Sequence, residues 1–189
     1  MIDIERRAFE MHLMSDTTRK TMQRKLKLIM PVLVLLASVS APTRAQQDFT
    51  FTTLEGGTMT LSGMRGRVVV LVFASTTDPQ CRDEFKALES LAERYQGKAV
   101  NVYWVSLDPA TVGDDKLKSP CGRAGSVPVL RDQSRAAFKR FSGRPPQLPT
   151  VVVLDQQGQL PVQPRGGFNP DSDFVNDIAA VIDGQLAKR

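Results

Sequence analysis

The stretch RVVVLVFASTTDPQCRDEFKALESLAERYQGKAVNVYWVSL, residues 67–107, decides the fold. Arg67 to Ala74 is a nearly unbroken β-branched and apolar run, the pattern of a strand buried on both faces. Asp78 then offers an N-cap, Pro79 suits the first helical position, and Glu84 adds negative charge in the second turn. Phe85, Leu88, Leu91, Ala92 and Tyr95 recur at helical spacing, so one face of this helix packs on a sheet. Gly97 closes the helix, and Ala99 to Leu107 is a second buried strand. Strand, helix, strand in this order implies parallel pairing.

Working outward, Phe49 to Thr52 and Thr58 to Leu61 alternate as short strands, separated by a turn at Glu55-Gly56-Gly57 and followed by another at Gly63 to Gly66. Asp132 to Phe141 reads as a short helix ended by Gly143, and Thr150 to Leu154 as a third core strand. Asp155-Gln156-Gln157-Gly158 is a hairpin turn leading to an edge strand near Gln159 to Gln163. Asn169-Pro170 caps a last helix with Phe174, Val175, Ile178, Ile182 and Leu186 on one face. The expected class is α/β: a central mixed sheet flanked by helices, with an N-terminal β extension.

The leader is read separately. Arg24-Lys25-Leu26-Lys27 followed by the apolar run Leu28 to Ala41 has the form of a signal peptide, with a cleavage site before Gln46. Residues 1–45 are thus expected to be an N-terminal extension and signal peptide, with Met22 as an alternative start, and residues 46–189 the domain. An uncleaved leader is the one route by which this reading places the protein at a membrane. Either way the domain is expected in the periplasm or another extracytoplasmic space, where disulfides persist.

Charge and histidine content exclude several functions. The chain carries +5, but residues 1–45 hold eight of the 25 Lys and Arg and four of the 20 Asp and Glu. Residues 46–189 therefore keep 17 and 16, a net of +1, which gives no footprint for nucleic acid. The single histidine, His12, lies in the leader. Serine–histidine and cysteine–histidine catalysis are excluded from the domain. A metal site is not expected from two cysteines without a histidine, and no cofactor is expected.

Several pieces carry a resemblance: DFTFTTLEGG from Asp48, TLSGMRGRVVVLVFAS from Thr60, CRDEFKAL from Cys81, QLPTVVVLDQQGQL from Gln147, and Gly166-Gly167. In order and at proper spacing, they resemble the TlpA/ResA-like branch of the thioredoxin superfamily, which shades into the redoxin and peroxiredoxin families. The resemblance covers nearly all of residues 48–187 and implies a thioredoxin-like fold, a thiol–disulfide oxidoreductase activity and a protein or peptide thiol or disulfide as partner. It also implies a cis peptide at Pro149, preceded by Leu148, whose flank would offer backbone hydrogen bonds to a bound peptide.

One departure stands at the motif. Where the family has Trp-Cys-x-x-Cys, this chain reads Thr77-Asp78-Pro79-Gln80-Cys81, keeping the second cysteine and replacing the first with aspartate. Arg82 and Glu84 match the family's usual followers. An aspartate keeps the helix end capped but cannot attack a disulfide. Three states of Cys81 stay open: a buried remnant, a disulfide with Cys121 forty residues on, or a lone thiol forming mixed disulfides. Three functions follow: an oxidoreductase with altered or lost dithiol activity, a redox-inactive binding or chaperone-like module, and a thiol peroxidase using Cys81 and Cys121. The peroxidase signature Pro-x-x-x-Thr-x-x-Cys is missing, since Ala74 and Asp78 stand in its proline and threonine places.

Overall fold

The computed structural model describes residues 48–169 and 173–188. The leader, and with it the expected signal peptide, lies outside the described residues, as does Pro170. In chain order the strands and helices are β1 (Thr50–Thr53), β2 (Thr58–Thr60), β3 (Val68–Ala74), α1 (Cys81–Arg94), β4 (Val100–Ser106), α2 (Asp114–Leu117), β5 (Val129–Arg131), α3 (Ala136–Phe141), β6 (Thr150–Leu154), β7 (Arg165–Gly166) and α4 (Phe174–Leu186). They build one mixed seven-stranded sheet in the order β2-β1-β5-β4-β3-β6-β7. β3 and β4 run parallel in the register Val68↔Val100 to Ala74↔Ser106, as the βαβ reading requires. β6 lies antiparallel on the other side of β3.

The apolar run of β3 is continuous because both its faces are covered. Val68, Val70, Val72 and Ala74 join one core with Phe85, Leu88 and Leu91 of α1 and Ile178 and Ile182 of α4. Val69, Leu71 and Phe73 point the other way, into a second core with Phe51, Leu130 and Phe141. Burying each large side chain contributes about 2 kcal/mol. At the end of α1, the Tyr95 hydroxyl lies within hydrogen-bond reach of Ala179 O at 3.0 Å and Asp183 Oδ1 at 2.8 Å, tying α1 to α4.

Four expectations are corrected. The helix expected over Asp132 to Phe141 begins at Ala136, because Asp132 serves as its anchor: Oδ2 accepts the Phe138 N–H at 2.8 Å. The edge strand falls at Arg165–Gly166 instead of Gln159 to Gln163, since Asp155 holds both ends of the turn, its Oδ1 accepting from Gln159 N at 2.7 Å and its N–H donating to Gln159 O. The last helix starts at Phe174 after Asp173, four residues beyond Asn169. The first helix starts at Cys81, for the reason given next.

Candidate functional site

β3 ends at Ala74, and the chain reaches α1 through two successive turns. Asp78 N–H donates to Ser75 O at 3.1 Å, and Cys81 N–H donates to Asp78 O at 3.1 Å. The Asp78 carboxylate accepts the Gln80 N–H at 2.8 Å, two residues on, which closes an Asx turn. Gln80, at φ −93° and ψ 1°, occupies the cap position with no side-chain cap. Asp78 and Pro79 therefore precede the helix, and the expected N-cap at Asp78 is replaced by a turn. Cys81 becomes the first helical residue, at the positive end of a 14-residue helix.

Cys81 is bonded to Cys121, with Cα atoms 5.6 Å apart. The structure thus resolves the alternatives for these sulfurs in favour of the disulfide. The two differ in access: Cys81 is 2% exposed, and Cys121 is half-buried. Cys121 and Gly122 both adopt left-handed backbone, at φ 61° and 70°. A non-glycine residue there costs about 1–2 kcal/mol, and such strain concentrates at functional positions.

The segment carrying Cys121 is clamped independently of the disulfide. Leu117 is fully buried. The buried Arg131 donates through Nε to Asp114 Oδ1 at 2.7 Å and through its second guanidinium nitrogen to Val112 O. Beyond Cys121, Arg123 Nε bonds Glu89 Oε2 on α1 at 2.7 Å. Gly125 then lies flush on α1, where a Cβ would stand 2.4 Å from both Glu89 Oε1 and Phe85 Cε1. Gly125→Ala is therefore expected to push the segment off α1 and cost about 1–3 kcal/mol. Its signature is slower reclosure of the disulfide when the reduced protein is diluted into oxidised dithiothreitol, followed by alkylation of the remaining thiols at timed intervals.

Beneath the 75–78 loop sits Asp108, 5% exposed and not singled out by the sequence. Its carboxylate accepts from Ser75 Oγ at 2.7 Å, Thr76 N at 3.1 Å, Thr76 Oγ1 at 3.0 Å and Ser106 Oγ at 2.9 Å. Burial alone would raise its pKa; these donors overcome that and hold it below the usual carboxylate range. Asp108 fixes the loop that presents Asp78.

Glu84 departs most from expectation. It is fully buried instead of supplying a surface charge. Oε1 accepts the Trp104 Nε1–H at 3.2 Å, and Oε2 has no partner. Burial, then the nearby Asp78 charge, pushes its pKa up to about 8, so at pH 7 it is chiefly the neutral acid. Three residues on from Cys81, it lies one turn away on the same helix face.

A cleft of about 500 Å³ opens at the disulfide, its walls including Thr76, Asp78, Cys81, Arg82, Lys116 and Cys121. Leu148 and Pro149 are not among its walls. The Leu148–Pro149 bond is cis, as the resemblance implies, and the β3–β6 register continued by one residue sets Pro149 beside Ala74. They stand at the same sheet end as the cleft, with Leu148 39% exposed. Among the described residues, no group of three or more His, Cys, Asp or Glu could hold a metal ion. No described helix is long and apolar enough to cross a membrane.

A disulfide at the head of the first long helix, on this sheet, defines a thioredoxin-fold protein of the thiol–disulfide oxidoreductase-like kind. Residues 42–162 match the AhpC/TSA family, and the chain belongs to that family. It is similar to the thiol-disulfide oxidoreductase ResA of Halalkalibacterium halodurans, 25% identical over 121 residues, which make up 64% of this chain and 66% of that relative. In structure it is similar to a Chlorobium tepidum protein described as a thiol:disulfide interchange protein, DsbE, with a TM-score of 0.61 and 25% identity over 72% of this chain and 94% of the other. The exposed lipoprotein thioredoxin of Streptococcus pneumoniae shares the fold at a TM-score of 0.59 and 22% identity, covering 73% and 99%.

Proposed function

We propose that this protein is an exported thiol–disulfide exchange protein whose redox couple is Cys81–Cys121 in place of the family's Cys-x-x-Cys. The observation carrying the reading is the bond between a buried helix-terminal cysteine and a half-buried cysteine that lines a cleft. Asp78 holds the place of the lost first cysteine, and the attacking role passes to Cys121. In the oxidised protein a substrate thiolate attacks Cys121 Sγ, the S–S bond breaks, and Cys81 leaves as a thiolate. The α1 N-terminus stabilises that leaving sulfur, and the neutral Glu84 one turn away is a proton source for it. A second substrate thiolate then releases Cys121, and the substrate departs as a disulfide. The export and the extracytoplasmic setting rest on the leader sequence, and an oxidising compartment suits a disulfide. Leu148 and cis-Pro149 would flank a bound chain at the sheet end.

Single-cysteine variants test the division of labour. Cys81→Ser should trap a stable mixed disulfide at Cys121 with a peptide disulfide, seen by intact mass. Cys121→Ser should leave Cys81 unalkylated in the native protein and reactive only after denaturation. Equal trapping by the two variants would contradict these roles. Trapping by neither would leave the redox-inactive binding module as the better account, and turnover of hydroperoxide with loss of two thiols would favour the peroxidase.

A further inference from the structure

The cleft beside the disulfide carries an excess of cations that no salt bridge occupies among the described residues. Arg82, in the first turn of α1, and Lys116, on α2, both line it. The Arg82 guanidinium reaches to 3.8 Å from the point where a Gly122 Cβ would stand, beside the residue that follows Cys121. Two acids, Asp78 and Asp115, line the cleft as well. Asp115 pairs with Lys118 at 2.8 Å, Glu89 with Arg123 at 2.7 Å, and the Asp78 carboxylate accepts the Gln80 N–H at 2.8 Å. Among the described residues, neither Arg82 nor Lys116 makes an ion pair or a side-chain hydrogen bond. With Asp115 paired to Lys118, Arg82 and Lys116 face the cleft against the single carboxylate of Asp78, alongside Cys121, and the positive end of α1 adds to their field. At about 500 Å³ the space lies within the range of roughly 300–1,000 Å³ typical of small-ligand sites, large enough for a short peptide.

We propose that the exchange partner is an acidic short-peptide thiol or its disulfide, bound through carboxylates by Arg82 and Lys116 so that its sulfur meets Cys121. This inference rests on the exchange reading above and adds the substrate class to it. Two peptide thiolates deliver two electrons: the first forms the mixed disulfide at Cys121 and releases the Cys81 thiolate. The second attacks the peptide sulfur of that mixed disulfide, releasing the peptide disulfide and the Cys121 thiolate. Both protein sulfurs end reduced, and their protons come from solvent or from Glu84. Guanidinium and ammonium groups suit carboxylates through charge-assisted hydrogen bonds.

Glutathione, with two carboxylates, and its diethyl ester, with none, carry the same reacting thiol group and make the test. Rate constants for opening the disulfide of the folded protein, normalised to thiolate concentration, should favour glutathione by about tenfold at low salt. The preference should shrink as salt rises and vanish in Arg82→Gln/Lys116→Gln. Lys86→Gln, which removes a charge from the same helix outside this cleft, should keep it. Equal rates for acid and ester, faster reaction of the ester, or a preference unchanged in the double variant would overturn the inference while leaving exchange intact. If neither thiol opens the disulfide, the exchange reading itself falls and takes this one with it.

Discussion

Reducing the Cys81–Cys121 disulfide in the purified protein is expected to lower its unfolding free energy by about 4 kcal/mol, with the fold retained in the absence of denaturant. The estimate comes from the 40-residue separation of the two cysteines, because a cross-link of that span removes loop-closure entropy from the unfolded chain. Total stabilities of such domains run to about 5–15 kcal/mol, so a loss of this size moves the denaturation midpoint well down. The native state should survive because the bridged segment is held by other means: the buried Leu117, the Arg131–Asp114 pair, the Arg123–Glu89 pair and the flush contact at Gly125. That same clamping keeps Cys121 poised to close again on Cys81, which a redox couple needs. Cys81→Ala/Cys121→Ala should lose slightly more, since it also empties space in the core around the buried Cys81 side chain. Urea titrations with and without reductant, followed by circular dichroism, measure both quantities. An unchanged midpoint on reduction would show that the bond adds nothing to stability.

The sequence made the sheet legible where burial is two-sided and the runs are long. Val68 to Ala74, Val100 to Ser106 and Thr150 to Leu154 declare themselves by runs rich in β-branched, aromatic and other apolar residues, and the helix between the first two by its spaced apolar face. β5 escaped notice because Val129–Arg131 is three residues long and owes its existence to partners on both sides, β4 and β1. No local periodicity can announce a strand of that kind. At the site, the cysteine pair was one reading among several, since the proximity of Cys121 depends on how residues 107–125 are folded back on α1. Glu84 was misread because a glutamate in the first turns of a helix is ordinarily a solvated charge favoured by the dipole. Its helical spacing from Cys81, Leu88 and Leu91, which places it on the buried face, was the available signal. Asp108 gave no local signal, because its donors are gathered from two separate strand ends.

Replacing Glu84 by glutamine should flatten the pH dependence of stability between about pH 4.5 and pH 8 and raise stability at neutral pH by about 3 kcal/mol. Unfolded, this carboxyl releases its proton near the ordinary value of 4.5; folded, it holds the proton to about 8, because burial and the Asp78 charge disfavour the anion. The folded state thus binds the extra proton across that window. The Glu84 contribution is undiminished below pH 4.5, declines as pH rises, and is wholly lost above pH 8. The other shifted groups act outside the window. Asp48, Asp108 and Asp115 are displaced below 3.8, Lys118 above 10.5 and Tyr103 above 10.0, and Tyr95 is pushed up to about 12. The described residues contain no histidine, so Glu84 dominates the slope between them. Glutamine keeps an oxygen for the Trp104 Nε1–H and cannot ionise, which isolates the titration from the packing. Denaturant unfolding at pH 5, 7 and 9 reads the result: a falling series for the natural chain, a level one for Glu84→Gln. Parallel slopes would mean that Glu84 ionises normally in the folded state. The same substitution removes the proton source beside Cys81, so the inflection near 8 expected in the natural protein's pH profile of disulfide opening should be absent from the variant's. A gain in stability joined to that loss would mark Glu84 as a buried acid kept for the sulfur above it, at the expense of the fold.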